Sequence, residues 1–330
     1  MAPAGTRGAL LARVFRGRHV ESIHTGHIVV VDASLKIVLQ VGNPQTATYL
    51  RSAAKPFQAL PLLGDHIDEA FGLSPREMAL ICASHNGEAF HVEAAASILK
   101  KCGLAPEQLL CGIHRPLGVD LGVVQESASY HVLQNNCSGK HAGMLAACQL
   151  HGWPVATYIE PTHPHQKRIL ATLSEWSGLA ESQIGVEVDG CSVPVFYLPL
   201  VNIAQMYANL ATQAAEIERV YALMWQNAEM VAGTFRFDTE LMRTLKGKVV
   251  TKTGAEGLQC LAVRHPRPLG IAIKISDGNK RAIPPIVLKL LWHLGVVTEQ
   301  ELRALQRFVL PEIRNHRKIV GGRIDCAVSF

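Results

Sequence analysis

The 330-residue chain has the composition of a folded globular protein, with 48% hydrophobic and 18% charged residues. Its length allows one large domain or two of ordinary size. The net charge is only +5 and 6% of the residues are aromatic, so the basic and aromatic surface typical of a nucleic-acid-binding protein is not indicated. No run approaches the roughly 18 apolar residues that cross a bilayer. We therefore expect a cytoplasmic protein that binds neither nucleic acid nor membrane.

The first 20 residues, MAPAGTRGALLARVFRGRHV, are rich in alanine and arginine. Arginines interrupt their only apolar run, so the segment does not have the uninterrupted core of a secretory signal. We interpret residues 1–20 as an N-terminal leader, with organelle targeting as the alternative. The chain has eight cysteines but no CxxC pair, and we expect them to be reduced.

The predicted strands lie near the two ends of the chain. Residues 27–43, HIVVVDASLKIVLQVGN, are typical of two strands joined by a short turn at Ala33 and Ser34. Three further strands are predicted at 247–257, 258–266 and 269–278, where glycine and proline separate the apolar runs, and the last ten residues suggest another. Strands joined by short turns pair antiparallel, which favours one mostly antiparallel sheet built from both chain ends.

The middle of the chain is predicted to be mainly helical. In SPREMALICAS, residues 74–84, Ser74 is a suitable cap and Pro75 a suitable first residue of a helix. Further apolar periodicity predicts helices at 90–103, 139–152, 166–178, 198–213, 214–230, 284–295 and 298–309. We therefore predict a single unit over 1–330, with a sheet region at 21–50 and 245–330 and a helical region at 51–244. Ser52 then lies where the sheet region meets the helical region, a common place for a small-molecule site.

Ser52 and Lys55 lie three residues apart in RSAAKPFQAL, residues 51–60. On a helix this spacing places the hydroxyl and the amine on one face. A serine becomes a nucleophile when a base takes its proton, and a desolvated lysine can be that base. Ser97 and Lys100 repeat the spacing at the solvated end of a predicted helix, so the pattern alone does not identify a site.

A second signal is Lys252 in KTGAEG, which follows a predicted strand. A lysine on an edge strand can bind a substrate carboxylate or favour the neutral form of another lysine by charge repulsion. An early SxxK followed by a late KTG is the order found in serine penicillin-recognising enzymes. Ser84 in CASHNGEAFH could relay a proton or donate to an oxyanion, and an ordinary loop is the alternative.

Two cysteines lie in polar segments, Cys137 in NNCSGKHAGML and Cys191 in VDGCSVPVF. Two thiolates and a third donor could bind one zinc ion, and ordinary ligand preferences favour His141 as that donor. A spacing of 54 positions between the two cysteines is not a known zinc signature. We assign no site role to the nearby pair His163 and His165, which we interpret as polar residues at a helix start.

Taken together, several segments resemble the Rhizobium-type, or class 3, L-asparaginases. The matching stretches, in family order, are RSAAKPFQAL, CASH, NCSGKHAGML, DGCSVP, MVAG, KTGAEG and IKISDGN. The resemblance implies an α+β fold like that of class A β-lactamases, penicillin-binding proteins and serine-dependent glutaminases, and it implies a homodimer. The implied reaction is hydrolysis of the side-chain amide of L-asparagine to L-aspartate and ammonia.

The resemblance also implies roles for individual residues. It assigns the nucleophile and its lysine partner to Ser52 and Lys55, and the second serine and lysine to Ser84 and Lys252. It places Arg51 and Asp189 near the substrate. Zn²⁺ would bind Cys137, Lys140 and Cys191, so Lys140 replaces His141 as the third ligand and the ion would tune substrate affinity rather than activate the nucleophile.

The chain departs from the family pattern at Thr253, where it is closer to the penicillin-recognising pattern. The choice between asparagine and glutamine therefore stays open. One alternative function is a glutaminase or another serine–lysine amidase that uses the same residues. The other is a zinc-binding protein without catalytic activity, in which the serines are incidental.

Overall fold

The computed structural model describes residues 8–212 and 214–330. The chain forms two compact units. The first, which we call the sheet unit, comprises residues 8–48, Pro199–Thr212 and Glu240–Phe330, and the second, the helical unit, comprises Tyr49–Leu198 and residues 214–239. The helix predicted over 198–213 therefore belongs largely to the sheet unit, although it lies within the predicted helical region. Residues 1–7 of the expected leader lie outside the described residues.

Among the described residues, most strands lie near the two ends of the chain and most helices lie between them. The strands are β1 Ala9–Arg16, β2 His19–Asp32, β3 Ile37–Val41, β4 Ala47–Tyr49, β5 Gly185–Val188, β6 Pro194–Pro199, β7 Val249–Gly254, β8 Leu258–Val263, β9 Leu269–Ile275, β10 Glu312–Arg314 and β11 Val320–Cys326. The helices are α1 Lys55–Gln58, α2 Leu60–Gly64, α3 Ile67–Phe71, α4 Pro75–Ile81, α5 Ala89–Lys101, α6 Ser138–His151, α7 Pro164–Ser177, α8 Leu200–Ala211, α9 Ala215–Gln226, α10 Ala228–Val231, α11 Phe237–Leu245, α12 Ile283–His293, α13 Glu299–Ala304 and α14 Gln306–Val309.

The sheet unit is built on an antiparallel sheet in the order β10-β11-β1-β2-β9-β8-β7, with β3 paired to β2. Strands from both chain ends meet where β2 pairs with β9 and β1 with β11. Helix α8 packs on β9, β8 and β2, and contributes a continuous set of buried apolar side chains to the core. The predicted α+β class, the antiparallel sheet from both chain ends and the helical middle are confirmed.

Strand β1 corrects the prediction of a leader over residues 1–20. Within this strand Leu11, Ala12 and Val14 are buried, whereas Arg13 and Arg16 are exposed. The arginines that interrupt the apolar run are therefore exposed residues of a strand whose apolar side chains contribute to the core. Pairing with β2 and β11 satisfies the main chain of the segment.

Gly270 on β9 allows α8 to approach the sheet closely. A Cβ atom at this position would lie 2.0 Å from the Ala204 carbonyl oxygen and 2.1 Å from the Ala208 nitrogen, both in the main chain of α8. We expect Gly270→Ala to destabilise the protein by about 3 kcal/mol, because a helix backbone cannot yield as a side-chain end can. Urea unfolding would measure this change. Gly64→Ala is the matched control, since a Cβ atom there meets open space, and an equal loss in both variants would contradict the close-approach argument.

The helical unit is organised around α6, whose residues 138–148 are all buried. A helix buried on every side needs small residues where neighbours cross it closely. A Cβ atom on Gly139 would lie 2.4 Å from the Leu80 carbonyl oxygen, and one on Gly143 would lie 2.9 Å from Ile81 Cγ2. These two glycines fix α6 against α4, and with it the position of the residues that begin α6.

Helix α4 begins as predicted. Ser74 Oγ accepts a hydrogen bond from the Glu77 amide at 3.3 Å, and the Glu77 carboxylate accepts one from the Ser74 amide at 2.6 Å, with Pro75 as the first helical residue. The single helix predicted over 214–230 is instead divided at Asn227, whose side-chain amide donates to the Leu223 carbonyl at 3.0 Å. Among the described residues, no helix combines the length and apolarity needed to span a membrane.

Candidate active site

Ser52 and Lys55 lie on one tight turn. A 3₁₀ helix spans Arg51–Ala54, and the Lys55 amide donates to the Ser52 carbonyl as the chain continues into α1. Side chains three residues apart eclipse in a 3₁₀ helix, so the predicted common face is present. Ser52 is partly exposed, whereas Lys55 is 1% exposed. The Ser52 side chain is therefore accessible to a substrate, whereas the Lys55 amine is enclosed by protein.

The Lys55 amine is surrounded by hydrogen-bond acceptors. It donates to the Ala83 carbonyl, and its Nζ lies 3.1 Å from Ser84 Oγ, 3.4 Å from the Asn136 carbonyl oxygen and 3.2 Å from Cys137 Sγ. This set of carbonyls, a hydroxyl and a sulfur is suited to an ammonium group. The structure thus joins the Ser52 segment to the predicted second serine and to the first predicted zinc ligand.

The direct partner of Lys55 is Ser84 rather than Ser52. Within residues 8–212 and 214–330, no hydrogen bond joins the Ser52 hydroxyl to the Lys55 amine. Ser84 follows α4 in the loop Cys82–Glu88, a segment that is buried throughout. The Ser84 amide donates to the Val231 carbonyl at 2.9 Å. Main-chain bonds of this kind satisfy a buried loop that has no secondary structure of its own.

Cys137, Lys140 and Cys191 converge in the helical unit. Cys137 caps the start of α6, Lys140 lies on its first turn, and Cys191 lies in the turn between β5 and β6. Lys140 Nζ lies 3.1 Å from Cys191 Sγ, and the two sulfurs are joined by a hydrogen bond. All three side chains are at least 95% buried. Sequence spacing could not reveal this cluster, because it depends on the β5–β6 hairpin, which was not predicted.

Cys137, Lys140 and Cys191 shift one another's pKa values. The hydrogen bond from Cys191 lowers the pKa of Cys137 well below its ordinary value against the effect of burial, with help from Lys55 and Lys140. The same hydrogen bond, together with burial, raises the pKa of Cys191. Burial alone would lower the pKa of Lys140, but the two sulfurs outweigh it and raise that pKa. These shifts favour a thiolate at Cys137 beside an ammonium group at Lys140.

The donor set fits a zinc ion in chemical type, since two sulfurs and a nitrogen are ligands that zinc accepts. Binding would require loss of the proton of Lys140 and that of Cys191. In the described part of the chain, no group of three or more His, Cys, Asp or Glu side chains is arranged to hold a metal ion. His141, the donor favoured by ordinary ligand preference, instead bonds through Nδ1 to the Tyr158 hydroxyl at 2.7 Å.

Arg51 and Asp189 form an ion pair beside Ser52. Arg51 Nε lies 2.8 Å from Asp189 Oδ1, and Arg51 adopts a left-handed φ of 48°. A non-glycine residue in this conformation is strained, and such strain is often found at functional sites. Asp189 begins the β5–β6 turn, in which the Gly190 amide donates to Asp189 Oδ1 at 2.8 Å. The two residues expected near the substrate are therefore brought together.

Lys252 lies on β7 of the sheet unit, paired with Cys260 on β8, and is fully buried. Its assignment as the second catalytic lysine rests on the KTG motif and stays a prediction. Of the second SxxK copy, Lys100 is exposed at the end of α5 and Ser97 bonds to the Glu77 carboxylate, as expected for a helix end. His163 begins α7, and its Nδ1 accepts from the His165 amide at 3.2 Å.

Sequence reasoning missed the polar network around Ser84. The Gly87 amide donates to His85 Nδ1 at 3.1 Å, so the proton of the neutral ring lies on Nε2, which bonds to Ser138 Oγ at 3.0 Å. Burial lowers the pKa of His85 well below its ordinary value. Arg236 reaches the same loop from the segment after MVAG, residues 230–233. That motif was the only sequence signal for this region.

Comparison with known proteins places the chain in a family. The L-asparaginase II family profile matches residues 12–326, which is nearly the whole chain. The chain belongs to this family and is therefore a hydrolase that acts on amides. No curated protein sequence is similar enough to the chain to count as a match.

Solved structures with a similar backbone have low sequence identity. Mglu in its native form is 13% identical with a TM-score of 0.46, over 84% of this chain and 67% of that chain. Mglu in its glutamate form is 13% identical with a TM-score of 0.47, over 82% and 61%. A β-lactamase from Mycobacterium bovis is 11% identical with a TM-score of 0.45, over 81% and 94%. The chain spans about two thirds of the length of the Mglu structures.

Proposed function

We propose that the protein hydrolyses the side-chain amide of L-asparagine to L-aspartate and ammonia through an acyl-enzyme on Ser52. The observation that supports this proposal is the buried Lys55 amine, three residues after the partly exposed Ser52 and 3.1 Å from Ser84 Oγ. Family membership supports amide hydrolysis. Asparagine as the substrate and Ser52 as the nucleophile are our proposals.

In the proposed reaction, Lys55 acts in its neutral form. It takes the proton of Ser52 as the serine oxygen attacks the amide carbon, and the surrounding carbonyls then stabilise the ammonium group that this transfer creates. The proton passes through Ser84, 3.1 Å from Lys55, to the departing nitrogen, which leaves as ammonia. Water then cleaves the aspartyl ester by the same proton path in reverse. The oxyanion would be held by main-chain amides, including that of Ser52 itself.

The test is ammonia release from L-asparagine and L-glutamine, together with the absorbance change on ring opening of a chromogenic β-lactam, under the same conditions, followed by mass spectrometry of the trapped adduct. We expect asparagine to react fastest and the added mass to lie on the peptide that contains Ser52. Faster release from glutamine would make the protein a glutaminase, which the Thr253 departure leaves open. An adduct on any residue other than Ser52 would overturn the mechanism.

Zinc is a further proposal for the cluster of Cys137, Lys140 and Cys191. When bound, the ion would supply a positive charge that attracts the anionic part of a substrate. We expect chelation to raise KM for asparagine by about tenfold while kcat changes little. Metal analysis should find one zinc ion per chain, lost in Cys191→Ser and kept in the matched variant Cys111→Ser. A metal-free protein with an unchanged KM would contradict this role.

The cysteine cluster also favours a second candidate function, zinc binding without catalysis. That function predicts that wild-type protein releases no ammonia from any amide, and that Ser52→Ala changes no measurable property. Loss of zinc in Cys137→Ala would then abolish the function. The homodimer and the cytoplasmic location implied above stay predictions, and light scattering would test the first.

A further inference from the structure

Arg236 places a positive charge on the loop that carries Ser84. Its Nη1 donates to the Asn86 side-chain oxygen at 3.1 Å and lies 3.5 Å from the Ser84 carbonyl oxygen. Ser84 in turn bonds to Lys55. The guanidinium group of Arg236 is therefore connected to Lys55 through a single residue, Ser84, and all three residues belong to the helical unit.

Among the described residues no ion pair joins Arg236 to a carboxylate, although the charge of Asp238, two residues further on, attracts it. Glu88 is the acidic side chain of this network, but both of its oxygens are engaged: Oε1 accepts from the Thr234 amide at 2.8 Å and from Asn86 at 3.0 Å, and Oε2 accepts from the Thr234 hydroxyl at 2.7 Å. Asn86 thus stands between Glu88 and Arg236.

Burial makes this arrangement costly. The Arg236 side chain is half-buried, and burial lowers its pKa while Asp238 opposes that shift. A guanidinium group nevertheless stays charged in proteins. A partly desolvated charge that bonds only to neutral oxygens is costly, and perturbed charged groups cluster at functional sites.

The loop that carries Arg236 is held in a strained conformation. Gly233 has a φ of 117°, and a Cβ atom there would lie 2.5 Å from Asn86 Nδ2 and 2.6 Å from Glu88 Oε1. Phe235 has a left-handed φ of 64° and is 51% exposed. The close packing at Gly233 fixes the chain immediately before Arg236, so the guanidinium group is positioned before any ligand arrives.

We propose that Arg236 binds the α-carboxylate of the amino-acid substrate and selects for substrates that carry one. This inference rests on the proposed function. Guanidinium and carboxylate groups match in charge and geometry. The other arginine near Ser52, Arg51, is already paired with Asp189. Arg236 therefore supplies a carboxylate contact that does not depend on a metal ion.

The activity test compares L-asparagine with 3-aminopropanamide, which has the same amide and amine but no carboxylate. Arg236→Met should lower kcat/KM for asparagine by about a hundredfold, the value of one charge-assisted hydrogen-bonded contact, and change that for 3-aminopropanamide by less than about threefold. Arg236→Lys should retain part of the preference. If Arg236 only held the loop in place, Arg236→Met would lower kcat/KM equally for asparagine and for 3-aminopropanamide. That result would overturn the proposal.

The matched control is Arg76→Met. Arg76 lies in the same unit and pairs with Glu229 at 2.6 Å, so its removal should leave the preference for asparagine unchanged. Both comparisons are repeated after chelation, and a loss of the Arg236 effect in metal-free protein would contradict a metal-independent contact.

A binding measurement separates this proposal from the proposed function. L-aspartate should raise the melting temperature of wild-type protein, and β-alanine, which lacks the α-carboxylate, should not. Arg236→Met should abolish the shift with aspartate. If the wild type hydrolyses neither amide, the proposed function fails while this shift still decides the role of Arg236. An aspartate shift that is absent from the wild type, or retained in Arg236→Met, overturns the inference.

Discussion

Replacement of Ser52 by alanine is expected to lower kcat for L-asparagine by at least about a thousandfold, because the variant has no nucleophile and only binding and oxyanion contacts remain. Ser84→Ala should be less severe, at about a hundredfold, since water can replace a relay hydroxyl in part. Stopped-flow and steady-state ammonia release would give both values. Ser52→Ala should alter the melting temperature little, because Ser52 is partly exposed and alanine is close to serine in size.

The variants Ser52→Ala and Ser84→Ala also test which of the two serines is the nucleophile. Among the described residues the Lys55 amine is hydrogen-bonded to Ser84 rather than to Ser52, so the experiment also asks which of the two serines is the nucleophile. If Ser84→Ala abolishes turnover and the acyl adduct forms on Ser84, then Ser84 is the nucleophile and our mechanism is wrong. Ser97→Ala is the matched control, because Ser97 belongs to the second SxxK pattern, and its activity should equal that of wild type.

Acid is expected to unfold the protein at unusually mild pH. Four histidines of the helical unit, His85, His91, His141 and His165, are 0% exposed. Burial lowers the pKa of His91 to about 4 and that of His165 to about 3, and it lowers the pKa values of the other two well below the ordinary range. The folded chain therefore keeps all four rings neutral at a pH where the unfolded chain protonates them.

The sign of the effect follows from this difference in proton binding. Above pH 6.5 neither state binds these protons, so the stability is complete, and as pH falls towards 4 the unfolded state takes them up alone. Each ring then costs about 1.4 kcal/mol per pH unit, which for four rings at pH 5.5 is about 5 kcal/mol, a large share of the usual total stability. Urea midpoints at pH 7.5 and 5.5 would measure this loss.

His165 offers a matched pair of variants for this prediction. Both of its ring nitrogens are buried without a hydrogen-bond partner in the described structure, so His165→Leu should raise stability and reduce the pH dependence by about a quarter. His66→Gln is the control, since the His66 side chain is 61% exposed. A urea midpoint that does not change between the two pH values would contradict the argument.

Most of the fold could be predicted because its signals are local. Ser74 and Pro75 define a helix start within four residues, and the β2–β3 hairpin follows from two apolar runs and a turn. The leader was predicted wrongly for residues 9–16 because a strand with exposed arginines has the composition of a targeting segment. Only pairing with β11, more than 300 residues away, distinguishes the two.

The site could be predicted only in part. The spacing of Ser52 and Lys55 is local, but the partners of Lys55 come from loops around residues 83 and 136, and no spacing rule relates them. Arg236 was missed for the same reason, because its contacts cross about 150 residues of sequence. The sequence motifs indicated candidate site residues, but only the tertiary structure shows which of those residues contact one another.

The close crossing of α4 and α6 at Gly139 and Gly143 has a consequence for engineering. The residues before α6 include the thiol beside Lys55, and the residues after α4 include Ser84, so this one crossing sets the spacing of both groups. Libraries that seek a new amide specificity should keep both glycines fixed and randomise the turn at Gly190 and the exposed position Phe235. A larger residue at Gly139 or Gly143 would shift α6 relative to α4, and so change the positions of both groups beside Lys55 together. A gain in activity could then not be assigned to a single contact.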